Sequence, residues 1–403
     1  MNPVAVTGLG LVAPHGQDHA AVFEALLRGR SALEPVFPEL PKPAVAARVA
    51  FDESRWFTKL QLAGVDRVSQ LAVAAADLAM RDAGAPGELD PERIGVYAGC
   101  GMGGASALEA AYRGGARVPP LTIPAFMPNA PASQVAMRQG AQGPVLTYSV
   151  ACASSSVAIA EAAKAVQRGD VDLAIAGGSE ALIVPGVVLA WQAMQTLASV
   201  EPGEEATAIR PFASDRSGFA LGEGAAFLVL ESAERARRRG ARTYAELAGW
   251  GLSCDATHLT KPDAPGQARA LRQALRQAGL QPRDVGYCNA HGTATRIGDM
   301  VEHDALAQVW GADLERLRVS STKALHGHLL GAAGALEAVV TVLALHLRAL
   351  PPNMHCATAD PACGGLKLVA PGDTEAPGLQ AAISNSFAFG GTNSVLLFRR
   401  PRG

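Results

Sequence analysis

The residues best able to do chemistry in this 403-residue chain fall in four short stretches. Ser149-Val-Ala-Cys-Ala-Ser-Ser-Ser156 carries a cysteine. Alternation at Leu146 and Tyr148 predicts a strand ending near Val150, and the Ala-rich run from Ala153 to Arg168 predicts a helix stopped by Gly169-Asp170. A thiol at Cys152, on the turn between them, meets unpaired N–H groups and the positive end of a helix dipole, which favour a thiolate. Taken alone, such a cysteine reads first as a small hydrophobic core residue. The remaining stretches change the weighing. Asn289-Ala-His-Gly-Thr-Ala-Thr-Arg-Ile-Gly-Asp299 places His291 at a predicted strand end before a Gly/Thr turn. Ser320-Ser-Thr-Lys-Ala-Leu-His-Gly-His-Leu-Leu-Gly-Ala-Ala-Gly334 repeats that context with Lys323 and His328 five residues apart. Asn385-Ser-Phe-Ala-Phe-Gly-Gly-Thr-Asn393 is a glycine turn between two terminal strands. Sites in open α/β sheets form beyond the carboxyl ends of strands. A cysteine, two histidines and a lysine gathered at such ends point to nucleophilic catalysis.

The elements that must position these residues alternate along the chain. Strands are predicted at Val4–Thr7, Arg93–Ala98, Val171–Ala176 and Ala225–Leu230, with helices at Ala20–Leu27 and Asp66–Asp82. A Gly/Pro break follows at Ala83-Gly-Ala-Pro-Gly87. A second series runs strand Tyr244–Trp250, helix Gly266–Ala278, strand Val285–Asn289, helix Asp299–Trp310, strand Leu317–Ser321, helix Gly331–Leu347 and strands Ala381–Ser384 and Ser394–Phe398. Two successive alternating sets predict an α/β fold with mostly parallel central sheets. Identity between the halves is too weak to read a duplication. Leu33–Phe51 and the five-proline segment Val118–Ala132 read as irregular excursions. The basic run Arg235–Arg239 reads as a solvated helix end. Gly99-Cys-Gly-Met-Gly-Gly104 lacks nucleotide-loop spacing and reads as backbone packed tightly under a pocket.

Composition narrows the class. Half the chain is apolar (49%), only 18% is charged and 43 residues are glycine, which suits a large close-packed core. Lys+Arg 35 against Asp+Glu 37 gives no field for nucleic acid. Six scattered cysteines without metal spacing read as reduced thiols of a cytoplasmic protein, with no metal site. The apolar region Ala332–Leu350 is interrupted by Glu337 and His346 and reads as a buried helix, so no membrane partner is expected.

The four stretches together resemble the β-ketoacyl-ACP synthases of the type II, elongating, Cys-His-His class in the thiolase superfamily. The resemblance runs from Val4-Ala-Val-Thr-Gly-Leu-Gly10 to Gly390-Gly-Thr-Asn393. It implies a thiolase-like five-layered α-β-α-β-α core from two similar halves, 1–240 with the nucleophile and 241–403 with the histidines and a gate loop. It further implies decarboxylative condensation of an enzyme-bound acyl thioester with malonyl-ACP. No cofactor is implied beyond the phosphopantetheine of the acyl carrier protein. Cys152 looks like the acyl acceptor, and His291 and His328 like the pair that binds malonyl thioester and stabilises its enolate. Lys323, too charged to lie buried alone, is expected to pair with Glu302, with Asp299 as further support. Thr293 and Thr295 resemble pantetheine-holding hydroxyls. The N–H groups of Cys152 and Phe389 resemble an oxyanion hole, Phe389 with Gly390 and Gly391 a gate, and Met102 an acyl-tunnel residue. The implied partners are acyl carrier protein and either a second copy or a chain-length-factor paralogue.

Three departures bear on the pathway. Ala388 stands at a gate position where the class usually has glycine. Lys59-Leu-Gln-Leu-Ala-Gly-Val-Asp-Arg67 and Leu197-Ala-Ser-Val200 thin the cationic surface expected to meet an acidic carrier. Housekeeping fatty-acid elongation and a dedicated polyketide or polyene system thus both remain open.

Overall fold

The computed structural model describes residues 3–84, 89–115 and 117–401. Most of the predicted break at 83–87 lies outside them. The main sheet has eleven strands: β1 Val4–Val12, β2 Ile94–Gly99, β3 Val145–Tyr148, β4 Leu173–Glu180, β5 Gly224–Ser232, β6 Ala245–Cys254, β7 Tyr287–Asn289, β8 Arg318–Ser320, β9 Lys367–Leu368, β10 Ala381–Phe387 and β11 Thr392–Arg399. Their spatial order is β9-β8-β7-β10-β11-β6-β1-β5-β4-β2-β3. On one side of the β1–β6 junction the strands of the first half run in chain order first, fifth, fourth, second, third. On the other side the second half runs the same way, with β9 added at the edge. Pairing directions repeat too: β1–β5 and β5–β4 antiparallel with β4–β2 and β2–β3 parallel, then β6–β11 and β11–β10 antiparallel with β10–β7 and β7–β8 parallel, so the sheet is mixed and not mostly parallel as expected. The molecule is a duplicated unit, joined by three residue pairs between β1 and β6.

Six helices complete five layers: α1 Arg67–Asp82, α2 Ala130–Gln139, α3 Ser154–Arg168, α4 Ala264–Ala278, α5 Arg296–Trp310 and α6 Ala333–Leu347. The buried α3 and α6 form the middle layer with one apolar cluster reaching β1, β4, β5 and β11. Helices α1 and α2 cover the outer face of the first half-sheet, and α4 and α5 that of the second. Equivalent glycines allow the outer helices in. A Cβ on Gly8 or Gly10 of β1 would lie 2.3 or 2.1 Å from backbone oxygens of α1. On Gly249 or Gly251 of β6 it would lie 2.3 or 1.8 Å from those of α4. The segment Leu330–Leu347, mean hydropathy 1.8, is apolar enough to cross a membrane by composition, yet 89% of it is buried in this core, as its interruption by Glu337 predicts.

Several local expectations are corrected. Segment 33–51 holds strands Glu34–Val36 and Ala44–Ala47, which join Leu221–Gly222 in a small second sheet. Segment 118–132 holds a helical turn, Thr122–Phe126, and the start of α2, because Pro131 sits in the first helical turn, where a missing N–H costs nothing. Arg235 and Arg239 are not simply solvated: both guanidiniums bind the buried carboxylate of Glu231. The tight-backbone reading of the glycine run holds. A Cβ at Gly99 would lie 2.2 Å from the Ser155 nitrogen, and Glu180 accepts the N–H groups of Gly101 (2.8 Å) and Met102 (3.2 Å).

Candidate active site

Strand β3 ends at Tyr148, two residues earlier than the alternation suggests, and a 3₁₀ turn Ala151–Ala153 leads into α3. The turn is forced: Ala151 takes φ +48°, rare for a residue with a Cβ. Ser154 holds it by accepting from the Val150 N–H (2.9 Å) and donating to the Ala151 carbonyl (2.6 Å). Cys152 therefore projects from the turn two residues before the helix begins, and only 8% of it is exposed. Burial pushes its thiol up to about 12, and the nearby Lys323 charge opposes the rise without cancelling it. The expected standing thiolate is thus corrected: a desolvated site outweighs the helix terminus.

The second half supplies the partners. The N–H of His328 donates to the Ala220 carbonyl (2.8 Å), and its own carbonyl accepts from Gly222 (2.9 Å), so this histidine is clamped to the small second sheet. The Leu330 N–H donates to Nδ1 of His328 at 3.3 Å, which puts the ring proton on Nε2. Nε2 lies 3.0 Å from Cys152 Sγ. The His291 and His328 rings meet edge to face at 5.5 Å, and ligand atoms of Cys152, His291 and His328 all lie within 4.8 Å of one another. Burial, then the Lys323 charge, holds both imidazoles well below 6.5. They are neutral at physiological pH.

The lysine is found in the site, with a different partner. Lys323 Nζ binds Glu337 of α6, and both side chains are fully buried. Glu302 is unavailable because its carboxylate accepts the backbone N–H groups of His291 (2.9 Å) and Gly292 (2.8 Å) and the Asn385 amide (3.0 Å). It shapes the turn that carries His291. Asp299 accepts from the Phe212 N–H (2.8 Å) and lies 3.7 Å from Arg216, so it ties α5 to the Pro211 segment. The sign of Glu337 was legible as the lone charge in an apolar helix; its partner was not.

These groups open into a cavity of about 490 Å³. Its lining includes Cys152, His291 and His328, the threonines Thr293 and Thr295, and Phe389 and Gly391. The Thr293 and Thr295 hydroxyls are 3.0 Å apart. The loop before β11 is closed by the Gly391 N–H donating to Ala388 O (3.0 Å) and is docked by the Gly390 N–H on Leu259 O (2.7 Å). Gly390 and Gly391 take φ +87° and +77°, while Ala388 does not enter the left-handed region. Met102 does not line this cavity and is half exposed. Sequence reading missed an aromatic series: Phe389 lies 6.1 Å from Trp191, Trp191 5.3 Å from Phe219, and Phe219 5.3 Å from His328. No local motif marks Trp191 or Phe219.

A deep thiol facing two neutral imidazoles, in a duplicated five-layer fold, defines a condensing acyltransferase of the thiolase-like class. The family model for the β-ketoacyl synthase N-terminal domain matches residues 1–236, and that for the C-terminal domain matches residues 244–357. The chain is 38% identical over 410 residues to 3-oxoacyl-[acyl-carrier-protein] synthase 2 of Staphylococcus aureus (strain COL), covering 98% of both. It superposes with TM-score 0.92 on a β-ketoacyl synthase from Burkholderia phymatum STM815, at 35% identity over the whole of both chains. The ishigamide ketosynthase/chain length factor gives the same TM-score at 31% identity, again over the whole of both chains. The chain belongs to the β-ketoacyl synthase family.

Proposed function

We propose that this ketosynthase lengthens an acyl chain carried on acyl carrier protein by one malonyl-derived unit, with the chemistry divided between its halves, 1–240 and 241–403. The observation that carries the reading is the 3.0 Å approach of His328 Nε2 to Cys152 Sγ, in a cavity shared with His291. In the first step Cys152 sulfur attacks the acyl thioester. Its bond to the acyl carbon forms, the carrier's carbon–sulfur bond breaks, and the thiol proton leaves on the carrier thiol. No external base is consumed, which suits a thiol whose pKa burial holds high. The N–H groups of Cys152 and Phe389 hold the tetrahedral oxyanion. In the second step malonyl thioester loses CO₂, and the electrons of that bond enter an enolate. His291 and His328, neutral N–H donors, stabilise its oxygen without burying a new charge. The enolate carbon attacks the Cys152 thioester, the 3-oxoacyl product leaves on the carrier, and the expelled thiolate takes a proton from water.

Lys323, held by Glu337, supplies the positive field that favours the thiolate and keeps both histidines neutral. Thr293 and Thr295 line the path of the pantetheine arm. No other cofactor is required. Intact-mass measurement after incubation with acyl-carrier should show one added acyl group, absent in Cys152→Ala. Cys152→Gln should still release CO₂ from malonyl-carrier and His328→Ala should not. Acylation of the Ala variant, or undiminished CO₂ release by His328→Ala, would refute the assignment.

A second reading concerns the oligomer. Among the described residues strand β3 is a sheet edge paired with β2 alone, and its Val145 and Leu146 are exposed; Met102, Tyr112 and Ile123 are further exposed apolar groups of the first half. An unpaired apolar edge of this kind supports association. The similarity to the ishigamide ketosynthase/chain length factor supports a paralogous subunit as the occupant, in a dedicated polyketide or polyene system. Association with a second copy is the alternative, and co-expression followed by mass measurement of the intact complex separates the two.

A further inference from the structure

The walls of the catalytic cavity change character from floor to rim. At the floor are the buried Cys152, His291 and His328. The hydroxyls of Thr293 and Thr295 line the same cavity, within hydrogen-bond reach of each other. At the rim two exposed cations line the same cavity, Lys261 from the segment before α4 and Arg296 from the first residue of α5. Among the described residues neither has a carboxylate partner within ion-pair distance; the ion pairs of this region involve Arg216, Asp299 and Asp360 instead. The neighbouring carboxylates are committed inward. Asp255 accepts from the Asn393 amide (2.7 Å) and the Asp263 N–H (3.1 Å), and Asp263 accepts from the Gly266 N–H (3.1 Å). Lys261 is not on a loose tail: His258 Nδ1 accepts both the Thr260 N–H (3.1 Å) and the Lys261 N–H (3.2 Å), closing a turn. The chain as a whole is slightly acidic, with net charge −2, so two unneutralised cations at one cavity mouth are a local choice.

We propose that Lys261 and Arg296 form a phosphate clamp that grips the phosphodiester of the phosphopantetheine arm while its thioester lies at Cys152. The proposal rests on the ketosynthase reading and adds a subsite to it. An arm with its sulfur at the floor and its amides passing Thr293 and Thr295 must end in its phosphate at the rim. There a guanidinium offers a planar donor fork and an ammonium a mobile point charge.

The test compares ligands that differ only in the phosphate. Acylation of Cys152 is followed with acyl-pantetheine and acyl-4′-phosphopantetheine, and binding of the unacylated pantetheine and 4′-phosphopantetheine is measured by equilibrium titration. The wild-type protein should prefer the phosphorylated form by about tenfold, chiefly in KM and in Kd. Lys261→Ala/Arg296→Ala should erase that preference while leaving the unphosphorylated thioester's rate unchanged, and Lys261→Arg/Arg296→Lys should restore it. Absence of a preference in the wild type, or its survival in the double alanine variant, overturns the clamp. So does a loss confined to carrier protein lacking the arm, which would assign the two cations to an acidic protein surface. Failure of any thioester to acylate Cys152 would instead strike the ketosynthase reading, since the titration with unacylated ligands judges the clamp independently.

Discussion

At the residue scale the site is governed by which charges burial permits. Cys152, His291 and His328 are driven neutral by desolvation, and one fully buried lysine is allowed because Glu337 faces it. Burial raises the Glu337 carboxyl, and the Lys323 ammonium works against the rise. Removing one member of such a pair leaves the other uncompensated, at a cost of about 3–5 kcal/mol, whereas replacing both by apolar groups of similar volume is close to neutral. Glu337→Ala should therefore lower the urea midpoint sharply, and Lys323→Met/Glu337→Leu should regain most of the loss. Equal loss in both variants would show that packing, not charge, is at stake. Cys152, His291, His328 and Lys323 were legible as one candidate constellation because each stands in a glycine- and hydroxyl-rich strand-end motif. The partner of Lys323 was not, because two carboxylates lay in plausible helices. Only the fold reveals that Glu302 is already saturated by backbone donors.

At the scale of elements the loop before β11 is shaped by two glycines and not by Ala388. Ala388 keeps an ordinary backbone conformation, donates its N–H to the Thr392 carbonyl (2.8 Å) and packs its methyl against the apolar cluster around Cys152. A Cβ on Gly391 would sit at positive φ and 2.9 Å from Asp255 Cβ, a strain of roughly 1–2 kcal/mol before the contact is counted. Gly391→Ala should speed hydrogen exchange at the Ala388 and Gly390 amides by about tenfold, the opening equivalent of ~1.4 kcal/mol. Ala388→Gly should leave their protection within about twofold. The opposite ranking would make residue 388 the hinge. The loop's glycines were readable from sequence, but its strap to Leu259 was not, since that contact joins residues more than a hundred positions apart. The helices inside the proline-rich segment were missed for a related reason. Proline was read as a breaker where it occupies a first helical turn.

For the whole molecule, the same desolvation that tunes the site makes stability depend on pH. His326 is fully buried between Thr322 and the Gly327 carbonyl, and burial holds its pKa at about 3 against 6.5 in an exposed chain. Its folded pKa is depressed, so the unfolded chain binds the proton first. The stability associated with a neutral His326 is present above pH 6.5 and is lost as pH falls toward 3. Relative to His326→Gln, the wild type should lose about 1.4 kcal/mol per pH unit below 6.5. A parallel pair of stability–pH curves would refute this. The overall α/β alternation was legible, as was the five-layer core from family resemblance. The duplication itself was hidden in the residues. Gly8-Leu-Gly10 and Gly249-Trp-Gly251 are a visible echo of it, because layer contacts constrain backbone approach more tightly than side-chain identity.

That duplication has a sequel at the Cys152 turn. In the first half a 3₁₀ turn begins at Ala151, φ +48°, and a 15-residue helix follows. In the second an equal turn begins at Leu330, φ +46°, before another 15-residue helix. Cys152 and Gly331 hold the same place in the two copies, each offering an N–H suited to an anion. The N–H of Gly331 is already taken by the Glu180 carboxylate at 2.9 Å, which reaches over from the first half. The twin turn is thus stoppered from within by a side chain of the same polypeptide, and that plug also rivets the two halves together.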